Sequence, residues 1–251
     1  MGGVLTTALV DADIVLSRIS YSIQTSMDWG DGTYSDYADE HEGRAMLDLW
    51  VTSLYTTYPE IVLCFSDSSA YWRRDVFPTY KNNRTKAKPL VFAALKEYAK
   101  ETYECVQWPR LEADDVLGIL ATAGEYADAV VLSLDKDLDC IPCRRQRAVG
   151  EEIYTVTPEQ AEQTHLVMAF SGDPTDGFPG CPRVGPKTAR KYLAPYLEGK
   201  CSKDWAWGKI LGTYEERGKD EEFALAQARC AYILQSGDYD PETHEVRYWS
   251  P

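Results

Sequence analysis

Short apolar runs recur along the chain, separated by stretches with helical spacing. Residues 4–10, 61–65, 104–108 and 129–134 each read as a short buried strand. Between them lie helical patterns. One begins at Ile14–Ile19, one spans 41–57 and closes at Tyr58-Pro59, and one spans 90–100 with Leu90, Ala93, Ala94 and Tyr98 in register. Another starts after Leu111-Glu112-Ala113-Asp114-Asp115 and runs to about Thr122. Alternating strands and helices predict an α/β fold with a mostly parallel central sheet flanked by helices, over residues 1–156. Residues 144–156 alternate weakly and read as edge strands. Residues 26–40, rich in Gly and Asp, read as a loop, and 68–89 as an excursion from the core.

From Thr157 the pattern changes. Thr157 is a fitting N-cap before Pro158, and the helix it opens runs to Phe170. A Gly- and Pro-rich loop then leads into a second helix, residues 186–193. Residues 201–251 read as helical with many aromatics, closing on a strand-like 245–249. Residues 157–251 thus form a predicted helical region.

Composition narrows the class. At 251 residues and 44% hydrophobic content the chain can bury a sizeable core. No apolar stretch reaches about 18 residues, and the first residues lack the basic segment of a secretion signal. Seven Cys, an odd number without regular spacing, fit reduced thiols in the cytoplasm. Cys140 and Cys143 make a lone C-x-x-C, and with three scattered His the zinc reading gives way to ordinary thiols. A net charge of −14 argues by itself against a nucleic-acid partner. The charge is nevertheless sorted by location. Residues 73–88 hold six cations against Asp75 alone, residues 180–191 hold four and no acid, and Arg144-Arg145-Gln146-Arg147 forms a third basic knot.

The acids are sorted too. Asp11, Asp67 and Asp135 follow the first, second and fourth strands, where α/β proteins place their sites. Glu112, Asp114 and Asp115 crowd one helix start. At about 4 Å and an effective dielectric near 20, each like-charged pair costs on the order of 4 kcal/mol, so a cation is expected there. If Glu112 and Asp114 act together, Glu112 must sit just before the helix and the two aspartates in its first turn. Asp135 and Asp137 share a side if the chain there is extended, and Asp173 and Asp176 bracket a turn. All-oxygen donors select Mg²⁺ or Mn²⁺ over zinc, and so many suit two ions. In Gly180-Cys181-Pro182-Arg183-Val184-Gly185-Pro186-Lys187-Thr188-Ala189, glycines and a helix start offer N–H groups to a phosphate. An ordinary Gly-Pro turn fits that stretch equally well.

Taken together, LVDAD, CFSD, YKNNR, LEADD, SLDKDL, SGDPTDGFPG and GCPRVGPKTA resemble the flap endonuclease/5′-nuclease superfamily, most closely the 5′→3′ exonucleases of short-tailed phages. The resemblance spans the whole chain. It implies a PIN/5′-nuclease-like core followed by a helix-hairpin-helix, and a nuclease releasing 5′-phosphorylated products, with flap-endonuclease or RNase H activity alongside. It further implies that Asp11, Asp67, Glu112 and Asp114 hold a first metal. Asp115, Asp135, Asp137 and Asp173 would hold a second, with Asp176 bound directly or through water. Lys81 and Arg84 match an arch, about residues 68–89, that contacts the scissile phosphate; Arg73 shares it, and Tyr80 would stack on a displaced base. Gly180, Arg183, Val184, Gly185, Lys187 and Thr188 would hold duplex DNA having a 5′ end, nick or flap, or an RNA–DNA hybrid, with K⁺ at the hairpin. The expected protein is a cytoplasmic monomer, in the host cell if phage-encoded. The arch is short for threading a long flap. A PIN-like RNase would lack the hairpin, and a silent DNA-binding scaffold would have lost ligands; neither loss is seen.

Overall fold

A computed structural model describes residues 6–251, so Val4 and Leu5 of the first expected strand lie outside it. β1 (Thr7–Asp11) is buried along its whole length, as a central parallel strand must be. β4 (Glu60–Cys64) pairs with it on one side and β6 (Val130–Leu132) on the other. β5 (Cys105–Val106), β7 (Arg144–Gln146) and β8 (Tyr154–Thr155) complete a sheet ordered β5-β4-β1-β6-β7-β8. All pairs are parallel except β7–β8. The fold is the mostly parallel α/β architecture expected.

α1 (Ala12–Ile23) and α2 (Glu40–Leu54) pack on the same core as α4 (Phe92–Thr102). The buried stripe of α4 is Phe92, Leu95, Lys96 and Ala99, not the register read from the sequence. Leu90 lies exposed before the helix, and Lys96 buries its stem over Phe65 while its Nζ donates to the Ser66 carbonyl at 2.7 Å. Residues 26–40 are not simply a loop. β2 (Thr25–Asp28) and β3 (Tyr34–Tyr37) form an antiparallel hairpin exposed on both strands.

α5 (Ala113–Thr122) covers the other face of the sheet. α3 (Arg73–Val76) lies within the 68–89 segment. The C-terminal region holds α6 (Pro158–Ser171), α7 (Pro186–Tyr192), α8 (Ala194–Leu197), α9 (Lys203–Glu216) and α10 (Glu221–Ala231). Beyond α10 the chain turns back instead of forming the helix-then-strand expected, and 245–249 contributes only the bridge Tyr239–Val246. That tail packs Ile233, Leu234 and Tyr239 against α5. No described helix is long and apolar enough to cross a membrane, and all seven cysteines are free.

Candidate active site

The carboxyl edge of the sheet carries the acids. Asp11 is both the last residue of β1 and the N-cap of α1, accepting from Ile14 N. Ser133, just past β6, links two of them: its hydroxyl donates to Asp11 Oδ2 at 3.0 Å and accepts from Asp135 N at 3.1 Å. Asp135 caps the 3-10 turn Lys136–Cys140 by accepting from Asp137 N at 2.8 Å. The chain there is therefore turned, not extended. Glu112 stands just before α5, with Asp114 and Asp115 in its first turn.

Glu112, Asp114 and Asp135, with Asp137, Asp173 and Asp176, line a cleft of about 750 Å³ between the 68–89 segment, α5, the 135–139 turn and the loop after α6, and Asp11 lies beside it. Their electrostatics divide them. Burial and the neighbouring Asp13 push the Asp11 carboxyl up to about 7. Burial, then Asp11 and Asp135, push Asp114 well up. Burial and Asp135, with smaller parts from Asp173 and Asp176, raise Asp137 to about 6. Two groups emerge, Asp11 with Asp114 and Asp135, and Asp137 with Asp173 and Asp176, and Asp135 adjoins both. As placed, no three acidic side chains among the described residues stand close enough to ligate one ion. The donor set nevertheless suits hard cations: it is all oxygen, buried at Asp11 and half-buried elsewhere, and mutually repelling, and Asp13 Oδ1 is buried with no partner.

Glu112 belongs to a different environment. Burial alone would raise it, but Lys81 and Arg73 bring it down to about 2. Lys81 Nζ pairs with Glu112 Oε1 and lies 3.2 Å from Asp176 Oδ2. Lys81 has a left-handed backbone (φ 55°), and its N donates to the Asp176 carbonyl. A non-glycine residue held there stores strain that the surroundings must support. Arg84 is half exposed and pairs with Asp176.

Several expected roles do not survive. Asp115 is fully buried and bound by Arg73 through Nη1 at 2.6 Å and Nη2 at 2.8 Å, by Trp72 Nε1 and by Leu234 N. The guanidinium already supplies the cation that the crowded helix start demanded, so Asp115 is not free to ligate a metal. Arg73 is equally buried and not free for DNA, donating also to Glu112 and to the Cys230 and Tyr232 carbonyls. Tyr80 is 2% exposed and stacked on Phe178, with its hydroxyl 2.9 Å from both Glu112 and Asp176, so it cannot stack on a base. Asp67 does not line the cleft, and it accepts from Ser69 N and Oγ and from Arg110 N.

The loop after α6 closes on itself. Gly172 (φ 69°) and Gly180 (φ 66°) touch back to back, and a Cβ on either would meet the other's backbone N at 2.3 Å. Gly180 N donates to Gln227 Oε1 at 2.9 Å, which removes it from phosphate binding. Val184 is buried, and its N donates to the Cys181 carbonyl. Arg183, Gly185 and Lys187 are exposed and Thr188 is half-buried, next to the acids of the same loop.

Sequence reasoning missed Ser133, Asp139 and the role of Arg145. Arg145 is fully buried and donates to the Ser133 carbonyl at 3.2 Å and the Asp135 carbonyl at 2.7 Å, fixing the turn that carries Asp135 and Asp137. Asp139 accepts from Tyr154 Oη and faces Arg145 at 3.4 Å. The basic knot at 144–147 was the available signal.

Residues 6–166 match the model of the 5′-3′ exonuclease N-terminal, resolvase-like domain. The exodeoxyribonuclease of Enterobacteria phage T3 is 28% identical, over 97% of this chain and 92% of that protein. The exonuclease of Escherichia phage T7 is also 28% identical, over 97% and 93%. The flap endonuclease Xni of Aeromonas hydrophila is 30% identical over 78% of this chain and 79% of its own. Among solved structures, a bacteriophage T5 flap endonuclease in complex with DNA and metal ions gives a TM-score of 0.62 at 14% identity, covering 91% of this chain and 89% of that one. A T5 5′-exonuclease with bound divalent zinc gives 0.59 at 16% identity, over 90% and 88%.

Proposed function

The chain belongs to the 5′-3′ exonuclease family, and from that premise we propose that it hydrolyses DNA phosphodiesters from a 5′ end, nick or flap, leaving 5′-phosphorylated products, with the help of two divalent cations. The observation that carries the reading is the crowding of Asp114, Asp135, Asp137 and Asp173, none of them in an ion pair among the described residues, in a cleft that Lys81, Arg84 and Gly185 also line. Asp11, Asp114 and Asp135 would hold one Mg²⁺ or Mn²⁺, and Asp137, Asp173 and Asp176 the other, with Glu112 between them. Bound cations would lower the pKa of a water and stabilise the leaving oxygen.

The protein's own residues do the remaining work. Arg84, half exposed, and Lys81, once released from Glu112 and Asp176, would orient the scissile phosphate, and Arg84's planar fork suits two phosphate oxygens. Arg73 holds Glu112 in place from behind. Exposed Arg183 and Lys187, the Gly185 backbone and the Thr188 hydroxyl grip the duplex backbone without reading sequence, and a K⁺ ion at this turn would add to the grip. Single-stranded flaps and RNA–DNA hybrids are further substrates on this reading.

Digestion of 5′-labelled blunt, nicked and flapped duplexes tests it. Mononucleotides or short oligonucleotides bearing 5′-phosphates should appear with Mg²⁺ and not with EDTA. Undiminished digestion in EDTA, or products bearing 3′-phosphates, would refute the reading.

A further inference from the structure

The basic knot at 144–147 has three separate destinations. Arg144 donates to the Asp128 carbonyl at the sheet edge, and Arg145 is buried beneath the metal-site turn. Arg147, 47% exposed, reaches a second cleft of about 450 Å³. One face of α1 and one face of α2 form its walls. Ile14, Arg18 and Ser22 are spaced four apart on α1, and Met46, Trp50 and Ser53 follow helical spacing on α2. Leu132, Ser133 and Leu134 form the floor.

This cleft and the first meet at the acids. Asp11 and Ser133 belong to the second, Asp114 and Asp135 to the first, and the Asp11–Ser133–Asp135 hydrogen bonds join them. The hairpin that grips duplex borders only the first cleft. The second opens on the far side of Asp11, bordered by Arg18, which pairs with no carboxylate among the described residues, and by Arg147, which is half exposed beside Tyr154 and 3.6 Å from Asp139. Two arginines, a part-exposed tryptophan and a volume in the range of small-molecule sites suit an anion carrying an aromatic ring.

We propose that the cleft between α1 and α2 binds the single-stranded 5′-terminal nucleotides of the departing strand, with Arg18 and Arg147 on phosphates and Trp50 against a base. The assignment rests on the nuclease reading above: the strand held at the hairpin must continue past the acids, and this cleft is the continuation. The acidic end at Asp11 is met by the scissile phosphate, and the basic end by the phosphates beyond it.

The test is equilibrium binding of a 5′-phosphorylated, 3′-fluorescein-labelled tetrathymidylate, followed by anisotropy in EDTA across a salt series. Wild-type protein should bind it. The Arg18→Ala/Arg147→Ala double variant should bind at least tenfold more weakly, with a salt dependence of log K flatter by about 1.4, at about 0.7 per lost phosphate contact. Arg18→Lys/Arg147→Lys should restore both, and Trp50→Ala should weaken binding without changing the slope. Blunt duplex binding should stay within twofold in every variant. Unchanged affinity and slope in the double variant, or no binding by wild type, would overturn the proposal; either would leave the cleft to another occupant, such as a protein segment. Mg²⁺ digestion by wild type separates the two readings. Digestion with arginine-independent tetrathymidylate binding sinks only the cleft assignment, whereas arginine-dependent binding without digestion supports the cleft and sinks only the nuclease reading.

Discussion

Glu112 and Asp115 are one helical turn apart, and each faces a cation belonging to the chain itself, Lys81 and Arg73 for the first and Arg73 for the second. Asp114 and Asp137 line the same cleft, and they and the adjoining Asp11 face other acids. The first pair is the internal skeleton of the site, tying the 68–89 segment, α5 and the C-terminal tail together. The second set stores repulsion that protonation or an added cation would relieve. Carboxylates of identical chemistry thus divide into those paired with the chain's own cations and those that face one another, and proximity in sequence does not sort them: Asp114 and Asp115 are neighbours.

The comparison breaks most plainly at that neighbouring pair. Asp114→Asn is expected to reduce Mg²⁺-dependent cleavage by at least about 10³-fold while leaving the metal-free melting temperature unchanged or raised; a loss of stability would place Asp114 with the skeleton. Asp115→Ala is expected to cost about 3–5 kcal/mol in denaturant unfolding, because a buried guanidinium loses its two-pronged partner and Trp72 Nε1 and Leu234 N lose their acceptor. A cost under about 1 kcal/mol would show that Arg73 finds water or another partner. Next comes pH. Acids raised in the folded state bind protons more tightly than in the unfolded chain, so stability must fall as pH rises toward their folded values. In EDTA the unfolding free energy should drop between pH 5 and 7, the window set by Asp137 near 6 and Asp11 near 7. Glu112, lowered to about 2, is ionised throughout that window and does not contribute. Saturating Mg²⁺ should flatten the drop, and a flat EDTA profile would mean that these acids do not repel. The last variant is Arg145→Met. It leaves the Ser133 and Asp135 carbonyls unpaired, at about 1–3 kcal/mol each, and should weaken Mg²⁺ affinity through the loosened turn.

The placement of Asp11, Asp135 and Glu112 was legible because each follows from a local rule: a strand ending on an acid, or an acid before a helix. The all-parallel core was legible from four apolar runs. What stayed hidden depends on contacts distant in sequence. Asp115 meets Arg73 across 42 residues, and Tyr80 meets Asp176 across 96. A sequence read locally shows three crowded acids and a basic segment, and cannot show that one neutralises the other. The α4 register slipped because a lysine stem, not an apolar side chain, fills one buried position. The β2–β3 hairpin was invisible because neither strand buries a face.

The back-to-back glycines at 172 and 180 carry one more implication. They clasp the loop that carries Asp173 and Asp176, and the chain runs on from it within a few residues to the helix start that carries Lys187 and Thr188. On the proposed function, where the duplex is gripped and where the backbone is cut would then be set by the same short stretch of chain. On the proposed function this stretch is a ruler: the distance from the held phosphate to the severed one is built in, and product length is counted by geometry, not by sequence. A side chain at either glycine would force the clasp apart and blur that count before it abolished the reaction.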